Sequence, residues 1–196
     1  MFLYSNIRIL YDCNMRLISD KEVAILGLLD KDSLYGYEIE KIIVERNMRL
    51  WTNMGFSSIY YILNKLEDKK LVKSSIKHSD GKPSRRIYSI TTTGRKELTM
   101  KLEDVLSFNK KSISSFELGI AYIELLDSKR AIQCLNNYIT SLEQRKERLQ
   151  EMLSVAKKSG ANHVMIALYD RPLQLVKTEE KWIKKYLLEF KELKEN

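Results

Sequence analysis

The chain has 196 residues, 44% hydrophobic and 31% charged, which is the composition of a globular protein and excludes a disordered or membrane-embedded one. Two prolines and seven glycines are few interruptions for this length, so the chain reads as mostly helix. Basic residues outnumber acidic ones 34 to 26, a net charge of +8, which leans towards a polyanionic partner. The first strong element begins at Ser19. In SDKEVAILGLLD, Ser19 is a good N-cap and Glu22 stands three residues later, a capping box ahead of Val23, Ile25, Leu26, Leu28 and Leu29. A second helix, YGYEIEKIIVERN, turns Ile39, Ile42 and Ile43 inwards. WTNMGF then breaks the pattern at Asn53 and Gly55. Ser57 or Ser58 caps a third helix, SSIYYILNKLEDKK, with Ile59, Ile62, Leu63 and Leu66 at helical spacing.

The period then changes. LVKSSIKH and RRIYSIT alternate apolar and polar residues around SDGKPS, which predicts a hairpin turning at Asp80, Gly81 and Pro83. Three helices followed by a hairpin tipped with Lys82, Arg85 and Arg86 is the layout of a winged helix-turn-helix. Helix returns at Thr92, with Leu98, Leu102, Val105 and Leu106 along one stripe, and FELGIAYIELLD predicts a short apolar helix. A long helix follows from Ser128 to Gly160. Its Ile132, Leu135, Ile139, Leu142, Leu149, Leu153 and Ala156 alternate spacings of three and four, a coiled-coil seam interrupted only by Lys146. The last helix, through residues 162–193, is expected to bend at Pro172 and places Trp182, Ile183, Tyr186, Leu187 and Phe190 on one side.

The expected fold class is therefore mostly α with a small β-hairpin wing: a 1–17 extension, a winged-helix domain over 18–107, and a long-helix domain over 108–196 for dimerisation and an effector. Because two half-sites need two DNA-reading modules, the seam through Ile132, Leu135, Ile139, Leu142, Leu149 and Leu153, with Trp182 and Tyr186, is expected to hold a homodimer. The competing expectation is a helical hairpin within one chain. Between Lys65 and Lys101 eleven basic residues face four acidic ones, so +7 of the +8 lies on the third helix's end, the hairpin and the start of the next helix. That coincidence with the wing points to phosphate contact. Tyr60 and Tyr61 are neighbours about 100° apart on their helix and cannot both be core, and Tyr61 is expected to be the more exposed.

Histidine and cysteine usage excludes other classes. His78 and His163 are the only histidines, Cys13 and Cys134 lie far apart, and CxxC, HExxH and mixed clusters are absent. No metal, cofactor or catalytic constellation is expected, and an enzyme is the least favoured reading. Isolated cysteines fit a reducing cytoplasm, with Cys134 read as a small buried hydrophobe and His163 as a cap or surface residue. The opening MFLYSNIRILYDCNM lacks the marks of a signal peptide and reads as an accessory arm, or as residues ahead of a natural start at Met15. No 18-residue apolar run predicts a membrane span.

Three ordered motifs, YGYEI (35–39), SSIYYILNKLEDKKLV (57–72) and GKPSRRIYSITTTGRKEL (81–98), resemble the PadR family of transcriptional regulators. The region beyond 116 is similar to the family's longer, virulence-activator-type C-terminal domain. The resemblance implies a homodimer that binds double-stranded DNA at an inverted-repeat operator, represses transcription, and is released by a small aromatic effector. It also implies that Ser57, Ser58, Tyr60, Tyr61 and Lys65 face the major groove while Lys82, Arg85 and Arg86 lie on the wing, with Tyr37 a further DNA-binding residue. Two residues depart from the pattern. Lys70 stands where the family has a helix-closing Gly, so it must take a left-handed backbone or end the helix differently, and Phe56 stands where small residues are common. With no Asn, Gln or Arg counted in the helix's N-terminal turns, modest direct readout and dependence on DNA shape are expected. Two alternatives remain at this point: a MarR-like winged-helix regulator, and a coiled-coil adaptor that has lost DNA binding.

Overall fold

The computed structural model describes residues 18–52, 54–55, 58–79, 82–109 and 114–195, with only the backbone at 78, 79, 82, 83 and 195. Cys13, the tip residues Asp80 and Gly81, Phe56, Ser57 and the whole 1–17 extension lie outside them. Packing divides the chain into two compact units, the first within residues 1–110 and the second within 111–196. No helix among the described residues is long and apolar enough to cross a membrane.

In the first unit α1 (Asp20–Leu29) begins at the expected capping box: the Glu22 amide donates to Ser19 Oγ and the Ser19 amide to Glu22 Oε2. A two-residue strand, β1 (Leu34–Tyr35), leads into α2 (Gly36–Glu45), and a 3-10 turn at Met48–Leu50 precedes α3 (Ser58–Asp68). The wing is β2 (Val72–Ser79) and β3 (Lys82–Ile90), and α4 (Thr92–Ser107) closes the unit. The sheet is antiparallel in the order β1-β3-β2, with Val72 opposite Ile90, Ser74 opposite Tyr88 and Lys77 opposite Arg85. β1 is the element that sequence reading missed. Its two residues carry no periodicity of their own and form a strand only because Leu34 and Tyr35 pair with Tyr88 and Ile87.

Leu26, Leu29, Ile39, Ile43, Leu63, Leu66 and Leu71 are fully or almost fully buried together with Ile59, Val72 and Tyr88. Each such aliphatic side chain contributes roughly 1.5–3 kcal/mol of hydrophobic stabilisation. α4 outruns this core. Leu98 is buried, but Leu102, Val105 and Leu106, expected on the same stripe, are exposed because their part of the helix extends past the unit's apolar centre. Lys70 takes the left-handed backbone, φ +60°, after α3, and Thr91 Oγ1 donates to its carbonyl. The start of α4 presses close to that turn: a Cβ on Gly94 would lie 2.1 Å from the Leu71 carbonyl oxygen, so only glycine fits.

The second unit opens with α5 (Ser115–Ala121), capped by Ser114 and Glu117, and a 3-10 turn at Ile123–Leu125. α6 (Ser128–Lys158) starts on Asp127 and stops before Gly160, whose φ is +70°. α7 (His163–Glu195) runs through Pro172 without a break in its helical assignment. These two long helices form a hairpin, which reassigns the α6 seam. Leu135, Ile139 and Leu142 pack on Val176, Ile183, Leu187 and Phe190 of the same chain, with Ile132 and Leu149 partly buried beside them, and Leu153 and Ala156 pack on Tyr169 and Leu173. Periodicity declares a stripe that needs a partner, and here α7, four residues away in sequence, supplies it. Cys134, one step from the stripe at Leu135, is exposed rather than buried.

A charged cluster crosses the hairpin. Lys146 Nζ donates to both Glu180 oxygens (2.8 and 2.6 Å), and Lys184 joins Glu180 to Glu143. These bonds outweigh the burial of Glu180 and hold its carboxyl below the ordinary range. Lys146, the one polar residue in the seam, is thus the counterion of a buried glutamate. Tyr138 stacks on Phe116 and donates to Glu179; burial first, then that bond, push its hydroxyl up to about 12.

Candidate nucleic-acid interface

α3 lies with Ile59, Ile62, Leu63 and Leu66 in the core. At about 100° per residue, and with Leu63 as origin, Tyr60 falls near 60°, Asn64 near 100°, Asp68 near 140° and Tyr61 near 160°. That arc is exposed. Tyr61 is 69% and Tyr60 58% accessible, in the expected order, and Tyr60 also lies over Gly36, where a Cβ would come within 2.5 Å of its ring. Ser58 heads the helix and its hydroxyl donates to the Gly55 carbonyl at 2.7 Å, so its oxygen already has one partner.

The cations of α3 are turned away from this arc. Glu22 is buried beneath the helix, accepts from Lys69 Nζ at 2.6 Å and lies 3.7 Å from Lys65 Nζ. Burial works to raise the Glu22 carboxyl, but the bonds from Lys69 and Ser19 outweigh it and hold it below the ordinary carboxylate range. Lys65, expected in the groove, is therefore placed on the flank that faces Glu22 of α1.

Alternation along β3 separates the two wing arginines. Arg86 shares the face of Tyr88, donates to Ser74 Oγ (2.7 Å) and pairs with Glu67 of α3 (2.9 Å). Its guanidinium ties the wing to α3. Arg85 lies on the outer face, with its guanidinium over the Tyr37 ring at 5.4 Å and Nη1 3.4 Å from the Tyr37 hydroxyl. Tyr37 stacks in turn on Tyr35. Lys73 and Lys77 of β2 are exposed and share this outer face by register, and sequence reading had not singled them out. Of Lys82 only the backbone is described, at the start of β3. The interface thus has a polar helix arc that carries Asp68 but no cation, beside a cationic outer wing, a division suited to base edges on one side and phosphates on the other.

Residues 25–100 match the transcriptional regulator PadR-like family. This segment is a PadR-like domain. Bacillus subtilis PadR in complex with operator DNA aligns with the chain over 88% of its length and 99% of that protein's, at 22% identity and TM-score 0.68. B. subtilis PadR in complex with p-coumaric acid aligns over 87% and 98%, at 23% identity and TM-score 0.67. The Vibrio cholerae virulence activator AphA aligns over 88% and 98%, at 17% identity and TM-score 0.70. No curated protein matches the chain in sequence. Within the PadR-like domain the three motifs have separate structural jobs: YGYEI supplies Tyr37 and the Gly36 platform, the α3 motif the exposed arc, and the wing motif Arg85, Arg86 and the close approach at Gly94. The family matched over residues 25–100 is the PadR-like one.

Proposed function

We propose that the chain is a homodimeric, sequence-specific DNA-binding repressor responsive to a small aromatic effector. The observation that carries the DNA-binding part is the pairing of α3's exposed arc with Arg85, Lys73 and Lys77 on the wing's outer face, supported by the PadR-like match. Tyr37, Tyr60 and Tyr61 hydroxyls donate to backbone or base edges, and the wing cations neutralise phosphates and fix register. Lys65 and Arg86 act behind them, holding α3 to α1 and to the wing.

A second apolar stripe supports the dimer. Val164, Leu175, Trp182 and Leu193 of α7 are exposed and, with half-buried Tyr186, lie within about 40° of one another around the helix. Trp182 and Tyr186 were expected in the dimer contact; the α6 residues expected with them are spent inside the hairpin. An apolar stripe at this spacing, interrupted by Arg171 and Glu189, fits a parallel or antiparallel helix of a second copy. The effector is supported by the p-coumaric acid complex of the similar PadR.

Selection from a pool of random-sequence duplexes tests the reading, together with sedimentation of free and bound protein. The expected result is an enriched inverted repeat, bound by two copies, with affinity falling steeply with salt and released by a phenolic acid. Failure to enrich any sequence would remove the DNA-binding reading and leave the adaptor.

A further inference from the structure

We infer that Asn64 is the base-reading side chain of α3, so that the duplex bound by each copy carries one adenine, at a fixed position, gripped through its N6 and N7 edge. The inference rests on the DNA-binding function proposed above and assigns a residue and a base that sequence reading passed over. Because α3 begins at Ser58, Asn64 falls within its first two turns, the part of a recognition helix that reaches base edges.

Three observations converge on this residue. Its position near 100° lies inside the exposed arc between Tyr60 and Tyr61, on the side of the helix away from the buried stripe. Its side chain is exposed and has no hydrogen-bond partner among the described residues, whereas Ser58, Lys65, Glu67 and Lys69 are all engaged. Neighbouring chemistry then narrows the choice. With Lys65 and Lys69 drawn to Glu22 and Arg86 drawn to Glu67, the arc lacks the paired donors that select guanine. Asp68 lies on the same arc and repels acceptor-rich edges and phosphates. Asn64 offers one carbonyl acceptor and an amide donor side by side, which matches the N6 donor and N7 acceptor of adenine and no other base as well. The tyrosines on either side each bring a single hydroxyl and cannot make that two-point contact.

The test uses the duplex that the wild-type chain enriches from the random pool. Asn64→Ala, an exposed change expected to leave the melting temperature unaltered, is put through the same selection. The expected result is that one A·T pair per copy loses its preference while the rest of the motif survives. Replacing that adenine by 7-deazaadenine, or the pair by G·C, should then weaken the wild type about tenfold in the G·C case and the variant hardly at all. If Asn64→Ala enriches the same motif with the same preference at every position, the inference is overturned while the DNA-binding reading stands. If the wild type enriches no motif, the function itself fails and the inference falls with it.

Discussion

Both units pin their charges, and they differ in what is left over. In the PadR-like unit Glu22 holds Lys65 and Lys69, and Glu67 holds Arg86. What remains on the outward arc of α3 is Tyr60, Tyr61, Asn64 and Asp68, with no cation. In the helical hairpin Glu180 holds Lys146 and Lys184, and α7 keeps an exposed apolar stripe at Val164, Leu175, Trp182 and Leu193 among its charged residues. Ion pairs set geometry in both places, and the remainder is what the proposed partners would use: hydroxyls and an amide for nucleic acid, aliphatic and aromatic side chains for another helix.

The largest effect should come from the two seams of the second unit. Ile139→Asp with Leu142→Asp buries two unpaired charges inside the hairpin and should unfold that unit, each change costing about 3–5 kcal/mol. Leu175→Asp with Leu193→Asp alters only the outward stripe and should give a folded monomer. Circular dichroism and sedimentation separate the outcomes; a folded monomer from the first pair would restore α6 as the intermolecular seam, and a folded dimer would count against α6 as that seam.

Next is Gly94→Ala, whose Cβ meets the rigid Leu71 carbonyl and should lower stability by about 2–3 kcal/mol. Gly160→Ala meets no atoms and carries only the left-handed backbone penalty of roughly 1 kcal/mol. Denaturant melts should rank them in that order.

A smaller effect is expected from pH. Glu22 and Glu180 are both held below the ordinary carboxylate range when folded, so their contributions are complete above about pH 4.5 and are lost as pH falls through the lower folded values. Glu22→Gln should cost about 1.5–3 kcal/mol at neutral pH and flatten the acid limb of the stability curve. An acid limb as steep as wild type would show that Glu22 is not a major contributor.

The smallest change separates the wing arginines. Arg85→Ala should flatten the dependence of log affinity on log salt by about 1 unit, while Arg86→Ala should leave the slope nearly unchanged and loosen the wing instead. Equal slope changes would place both on phosphate.

Elements with a local chemical signature were legible in the sequence. The capping box at Ser19 and Glu22, the α3 stripe, the alternating wing strands and the stop at Gly160 are each written in neighbouring residues. For Lys70 the resemblance to a family with glycine there left two options, a left-handed backbone or a different helix end, and the structure takes the first. What depends on distant partners was not. β1 exists only through its pairing with β3, and the α6 stripe could not say whether its partner was α7 or another chain. Glu22 reads as a cap and nothing in its neighbourhood announces that it also draws in lysines 43 and 47 positions later. Arg85 and Arg86 look equivalent as a pair, although the two-residue period of a strand already places them on opposite faces. Asn64 was passed over because the helix start, hence its turn, was open between two serines.

The chain's two indoles divide between the units: Trp51 follows the 3-10 turn of the first, and Trp182 stacks on Tyr186 at 5.2 Å in the second. Each unit therefore carries its own optical reporter. With Trp182→Phe, emission follows the first unit alone; with Trp51→Phe, it follows the hairpin, and because Trp182 lies on the outward stripe its spectrum should shift to the blue as a second copy covers it. Concentration, rather than denaturant, then becomes the variable that changes its colour.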